Sequence, residues 1–214
     1  LVSYILRSSG IDSASFFGGV SLNYDQYAWW GNDALFVVET DESDGTFTKY
    51  HPSYSVITNI DQEHMNFYKD KKSLNSAFKK FAANTKDKIF IWNDNKKIYN
   101  IIKSVSAEII TYGLSKDNFY NARNVKYNIS NTSFDVFRKD KKLGSIVTPL
   151  RGEHNVLNAL AAIGVSIDFC DFSKIKLAIK GFKGTGRRFD IKYRDSNFIF
   201  IDDYAHHPTE IYFT

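Results

Sequence analysis

An internal disulfide is excluded at once, because the 214-residue chain holds a single cysteine, Cys170, and one thiol has no partner within the chain. Cys170 sits in an apolar helical stretch, and a buried, inert thiol in a reducing compartment is the simplest reading. No apolar run approaches the roughly eighteen residues that a membrane-spanning helix requires. Neither end carries a signal-peptide or lipidation pattern, so a cytoplasmic location is expected. Internal repeats and low-complexity tracts are absent as well. An initiator methionine is also missing: "LVSYILRSSG" is apolar and helix-patterned from its first residue, with no N-cap and no lead-in strand. The other end, "HPTEIYFT", starts a helix with Pro208 in its first turn and stops almost at once. Both ends read as those of a piece cut from a longer protein.

What is present suits a large soluble core. Hydrophobic residues make up 43% of the chain and aromatics 16%, enough for one large domain or a domain plus part of another. The net charge is +4, from 28 basic and 24 acidic residues. Lysines gather in runs such as "YKDKKS" (68–73) and "RKDKK" (138–142), but aspartate interrupts each run, the pattern of a solvated face rather than of a nucleic-acid patch. Anionic small molecules such as nucleotides fit the charge; no nucleic-acid or membrane partner is expected.

The order of elements points to an α/β fold. "ALFVVET" (34–40) and "YSVITNI" (54–60) are continuous β-branched and aromatic runs, the pattern of strands buried on both faces. Leu74, Ala77, Phe78, Phe81 and Ala82 recur at helical spacing, which predicts an amphipathic helix over 72–84. Then follow a strand (88–93), a helix (96–104) and a strand (108–113), an alternation that predicts a mostly parallel sheet with helical crossovers. Residues 117–148 break the rhythm with three strand-like runs separated by turn residues, an antiparallel meander expected as a small second sheet. Helices are expected at 153–170 and around 173–182, a glycine-loosened hinge at 184–190 and a fresh strand from 197 that ends in polar residues.

Ligands of open α/β sheets bind beyond the carboxyl ends of the strands, and three strands here end in polar clusters. The first, "VVETDESD", packs Glu39, Asp41, Glu42 and Asp44 together; mutual repulsion is relieved either by solvent or by a cation, with Glu39 nearest the strand end. In the second, Thr58 and Asn59 close a strand and His64 follows. If the strands of 34–40 and 54–60 are neighbours, Glu39 and His64 project over one sheet edge, where a carboxylate and a neutral imidazole can share a divalent cation. The third, "DDYAHHPTE", offers Asp202, Asp203, His206 and His207, but its spacing matches no common zinc pattern. Between them, "GTGRRFD" sets two arginines beside glycines, either a phosphate contact or an exposed basic loop. "GEHNVLNA" puts His154, Asn155 and Asn158 at a helix start, where amides cap the helix or read the edge of a base.

Taken in order, "VVETDESD", "TNIDQEHMNFY", "GEHNVLNALAA", "GTGRRFD" and "DDYAHHPTE" resemble the Mur ligase family across almost the whole chain. The resemblance implies a P-loop NTPase-like central ATPase domain over residues 1–186 and, over 187–214, the start of a Rossmann-like C-terminal domain. It further implies an ATP-dependent amide-bond ligase of peptidoglycan synthesis, with Glu39 and His64 each holding a Mg²⁺ ion. His154, Asn155 and Asn158 would lie against adenine, Arg188 would meet the phosphates, and Asp203 the nucleotide. The wording sits best with members that join L-alanine to UDP-N-acetylmuramate. Members that attach an intact tripeptide to the same sugar are the nearer alternative, and a non-catalytic nucleotide-binding module is the farther one. One departure stands out: the family's "GxxGKT" phosphate loop occurs nowhere in these residues, so the piece by itself is expected to be catalytically silent.

Overall fold

The computed structural model describes residues 1–213. Its centre is a six-stranded sheet of order β4-β5-β6-β7-β8-β9: β4 (Tyr54–Ile57), β5 (Lys88–Trp92), β6 (Glu108–Gly113), β7 (Tyr120–Tyr127), β8 (Thr132–Arg138) and β9 (Lys141–Thr148). The first four run parallel and the last three form the antiparallel meander. The meander is not a separate second sheet, because Tyr112 and Gly113 of β6 pair in register with Tyr120 and Asn121 of β7. A second, three-stranded sheet has β1 (Ala14–Ser21) between β2 (Gln26–Trp29) and β3 (Phe36–Val38). A two-stranded hairpin joins β10 (Asp190–Arg194) to β11 (Ile199–Asp202).

Side-chain alternation along β5 explains the layering. Phe90 points into one hydrophobic cluster, with Ile110, Tyr112, Leu160 and Ile163, while its neighbours Ile89 and Ile91 point into another, with Phe78, Phe81, Ile98 and Ile102. The first face is covered by α5 (Glu153–Ser166), with α1 (Val2–Ser8) and α6 (Phe172–Gly181) beyond it. The second is covered by α3 (Lys71–Asn84) and α4 (Lys97–Ile102). Burying each such aromatic or branched side chain stabilises the fold by about 1.5–3 kcal/mol. Two short helices complete the described chain, α2 (Met65–Tyr68) and α7 (Pro208–Phe213).

Local chemistry sets the helix ends and the closest approaches. Asp70 caps α3 by accepting the Ser73 amide at 2.7 Å, so the helix starts one residue before the periodic apolar face requires it. At Gly164 an added Cβ would stand 3.1 Å from the Phe90 ring and 3.2 Å from Tyr120, which is why α5 can lie so close to the sheet. It ends at Ser166 rather than continuing to Cys170.

Two expectations are corrected here. The strand at 34–40 is neither long nor buried on both faces: only three residues pair, on the β1 side alone, and Phe36 is 66% exposed. It also lies in a different sheet from β4, so the two strands that carry Glu39 and the 58–64 segment are not hydrogen-bonded neighbours. The strands β1, β2 and β10 were not anticipated, the first because the glycine pair in "ASFFGGVS" interrupts its β-propensity.

Candidate active site beyond the carboxyl ends of the strands

Past β3 the chain keeps its parallel pairing for one more step: the Glu39 amide donates to Phe16 O at 2.8 Å. The Glu39 carboxylate then accepts the Gly18 amide at 3.0 Å. Two of its acidic neighbours are occupied with the loop itself. Asp41 accepts the amide and hydroxyl of Ser43, and Asp44 accepts the amide and hydroxyl of Thr46, bonds that hold the Asp44 carboxyl below its usual range. These turns lead into a short 3-10 helix, Thr46–Lys49, whose Phe47 ring packs on Phe78 and Phe81 with centroids 5.0 and 5.3 Å away.

Glu42 behaves differently. Its carbonyl accepts the Tyr68 hydroxyl, and its side chain reaches Glu63 and His64, so that one ligand atom from each lies within 4.8 Å of the others. Burial first, then the charges of Glu42, Asp44 and Asp41, push the Tyr68 hydroxyl up to about 12. A group of that span fits a single divalent cation with bonds of about 2.1–2.4 Å, and two carboxylates plus an imidazole are a donor set for one. Glu39 is not a member of this group.

His64 precedes α2 in the left-handed conformation, φ 55°, which is uncommon for a residue with a side chain. Its Nε2 stands 4.0 Å from Glu63 Oε1, and the same oxygen stands 3.8 Å from His206 Nε2. Glu63 therefore touches the second and third polar clusters at once. Sequence reasoning missed it, because nothing in "DQEHM" separates Glu63 from an ordinary solvated acid. Thr58 and Asn59, expected to close the strand, lie just past its end at Ile57 and are both exposed.

The start of α5 carries a second group. Gly152, at φ 84°, turns the chain into the helix, and Asn155 Nδ2 donates back to Arg151 O at 2.7 Å while lying 3.0 Å from His154 Nε2. Burial lowers the His154 pKa; nearby Asp203 pulls it up and nearby Arg188 pushes it down. Its Nδ1 is buried with no hydrogen-bond partner, an orphaned polar atom of the kind a ligand would satisfy. Asn158, one turn on, is exposed.

The last cluster is ordered by its own loop. Asp203 accepts the Phe189 amide on one oxygen and the Ala205 amide on the other, each at 2.7 Å. Arg187 and Arg188 both lie over the Tyr204 ring, 4.8 and 5.8 Å from its centroid. Arg188 also faces Glu210 at 4.0 Å. Among the described residues, Asp202, Asp203, His206 and His207 do not converge as metal ligands: Asp202 faces Arg187 at 3.8 Å and His206 faces Glu63 and Glu210. The structure thus gathers His154, Asp203 and Arg188 on one side and Glu42, Glu63, His64 and His206 on the other, with Glu39 anchored separately on β1.

Residues 32–166 match the Mur ligase middle domain. The chain is 39% identical to the UDP-N-acetylmuramate–L-alanine ligase of Endomicrobium trichonymphae and 37% identical to that of a Hydrogenobaculum species, in each case over 99% of this chain. It covers 48% and 47% of those proteins, so the chain spans about half the length of the curated relatives it matches. The crystal structure of UDP-N-acetylmuramate–alanine ligase from Thermotoga maritima superposes with a TM-score of 0.85 at 28% identity, over 99% of this chain and 48% of that one. On the domain match and this identity, the chain belongs to the Mur ligase family.

Proposed function

We propose that residues 1–186 are the central ATP-binding domain, and 187–214 the start of the C-terminal domain, of a ligase that joins L-alanine to the carboxylate of UDP-N-acetylmuramate. The observation that carries this reading is the buried His154 imidazole with one nitrogen unpartnered, near enough to Asp203 and Arg188, from two other motifs, to feel both charges. Curated relatives of 33–39% identity over almost the entire chain bear the same alanine-ligase name, which favours alanine over a tripeptide as the incoming amine.

A carboxylate is a poor electrophile, so the reaction begins by moving the γ-phosphoryl group of ATP onto the muramoyl carboxylate. The amine of alanine then attacks the acyl phosphate, and inorganic phosphate leaves. In the first step two anions approach each other. The exposed Arg188 guanidinium supplies charge that offsets their repulsion, and it can grip two phosphate oxygens at once. His154 and Asn155, with Asn158 farther along the helix, offer ring and amide atoms to adenine, and Asp203 holds its loop against the nucleotide. Glu39 and His64 would each hold a Mg²⁺ ion, Glu39 apart from the group of Glu42, Glu63 and His64, and the metal would supply charge that neutralises the phosphates and aligns the transfer.

The test is alanine-dependent ADP formation by the full-length enzyme, repeated with Glu39→Ala and His64→Ala. Losses of about a hundredfold or more in kcat are expected for both. Near-normal rates in both variants would overturn the metal assignment, and ADP formation indifferent to alanine would overturn the substrate.

A further inference from the structure

The segment expected to act as a loose hinge is pinned to β1. The Leu22 amide donates to Gly184 O at 3.1 Å, the Gly186 amide donates to Val20 O at 2.9 Å, and Ser21 and Thr185 form an antiparallel bridge. Residues 184–186 dock beyond Phe16, where the pairing of β1 with β3 has stopped, while Ser21 keeps its pair with Gln26 of β2. The approach is tight enough that a side chain on Gly19 would displace Thr185. A Cβ on Gly19 would stand 2.4 Å from Thr185 Cγ2, well inside van der Waals contact, yet 3.8 Å from Thr185 Cβ. Its neighbour Gly18 has open space where a side chain would be. What Gly18 contributes is its amide, which donates to the Glu39 carboxylate.

The adjacent peptide units of Gly18 and Gly19 therefore serve two different clusters. One holds the carboxylate assigned to the cation. The other receives Thr185, whose carbonyl accepts the Arg188 amide at 3.2 Å and so fixes the start of the arginine loop. We propose that Gly19 and Thr185 are positioning residues that tie Glu39 to Arg188: docking of 184–186 on β1 sets the Gly18 amide, and through it the Glu39 carboxylate. This rests on the roles given above to Glu39 and Arg188. A linker docked in this way would fix the cation ligand and the phosphate ligand relative to each other, which a freely rotating hinge could not do.

NMR-detected amide exchange on the 214-residue chain tests the coupling without metal or nucleotide. In Gly19→Ala, exchange at Leu22 and Gly186 is expected to quicken about tenfold and at Gly18 several-fold, with a shift of the Gly18 amide proton. Adding Thr185→Ala should restore all three, because only the 3.8 Å contact then remains. Gly186→Pro removes the donor to Val20 and sets the ring Cδ where the amide hydrogen met Val20 O, so the segment must lift from β1, which should loosen Gly18 in the same way. An unchanged Gly18 amide in variants that free Leu22 and Gly186, or no rescue by Thr185→Ala, would overturn the coupling. In the full-length ligase, Gly19→Ala should lower kcat about tenfold while changing the KM for muramate little, again with rescue by Thr185→Ala. Coupled exchange with normal kcat would leave the tie standing and sink the roles of Glu39 and Arg188.

Discussion

Glu63 and His206 face each other at 3.8 Å, Oε1 to Nε2, although one lies before α2 and the other beyond β11. That carboxylate also belongs to the group with Glu42 and His64, so it links this candidate cation site to the C-terminal segment. Glu63→Gln keeps the shape and removes the charge. It is expected to weaken Mn²⁺ binding to the ligase, followed by electron paramagnetic resonance, by about tenfold, with the melting temperature within about 2 °C of the parent. Unchanged Mn²⁺ affinity would show that Glu63 is a bystander in the cluster.

Tyr204 is the common platform of two guanidiniums, those of Arg187 and Arg188. Exposed cation–π contacts contribute about 0.5–1 kcal/mol each, so losing both leaves the arginines less ordered without unfolding anything. Tyr204→Leu is predicted to raise the KM for ATP about three- to tenfold, with Tyr204→Phe close to the parent because its ring face is retained. Equal defects in the two variants would mean that the hydroxyl matters rather than the face.

Much of this architecture could be read from the chain, and the exceptions have physical causes. The strands β5 and β6 and the helices α3 and α4 stand out because their apolar residues repeat at the spacing of the structure they form. The strands β1 and β10 do not: a glycine pair breaks the first, and "DIKYR" has too few apolar positions to mark the second. The candidate residues stand out in the sequence as motifs, but their geometry does not. The sequence places Glu39 and His64 each beyond a strand, yet only the sheet order reveals that those strands do not pair. Glu63 and Gly18 act through a single oxygen and a single amide, and neither carries a pattern that periodicity can detect.

Asp135 bears on the acid stability of the meander. Lys142 at 2.8 Å, then the Ser145 hydroxyl and the Asn124 amide, hold its carboxyl far below the usual carboxylate range. A carboxyl whose pKa is depressed by folding adds stability that is fully present above its unfolded value, near 3.9, and is lost as the pH falls below it. Asp135→Asn should therefore cost about 1 kcal/mol in urea unfolding at pH 7, since half of the pair is solvated. The gap from the parent should narrow steadily as the pH is lowered from about 4 towards 2. A gap that stays constant across this range would show that the charge of Asp135 contributes nothing.

Gly113 and Asp94 settle how the ends of β5 and β6 are held together. The Asp94 carboxylate accepts the amides of Leu114 and Ser115, the Trp92 indole and the Asn118 side chain, at 2.7–2.9 Å. It can do so only by lying where a side chain on residue 113 would be: an added Cβ would stand 2.2 Å from one carboxylate oxygen and 2.5 Å from the other. Gly113→Ala must push the carboxylate off all four donors, and leaving such groups unpaired costs more than the removed bonds contributed. A loss of about 2–4 kcal/mol in urea unfolding is expected, against about 1 kcal/mol or less for an alanine at an open glycine such as Gly18. Asp94→Ala should be similarly costly alone, and the double variant Asp94→Ala/Gly113→Ala should cost clearly less than the sum, because the clash and the bonds share one carboxylate. Strict additivity would refute the shared cause.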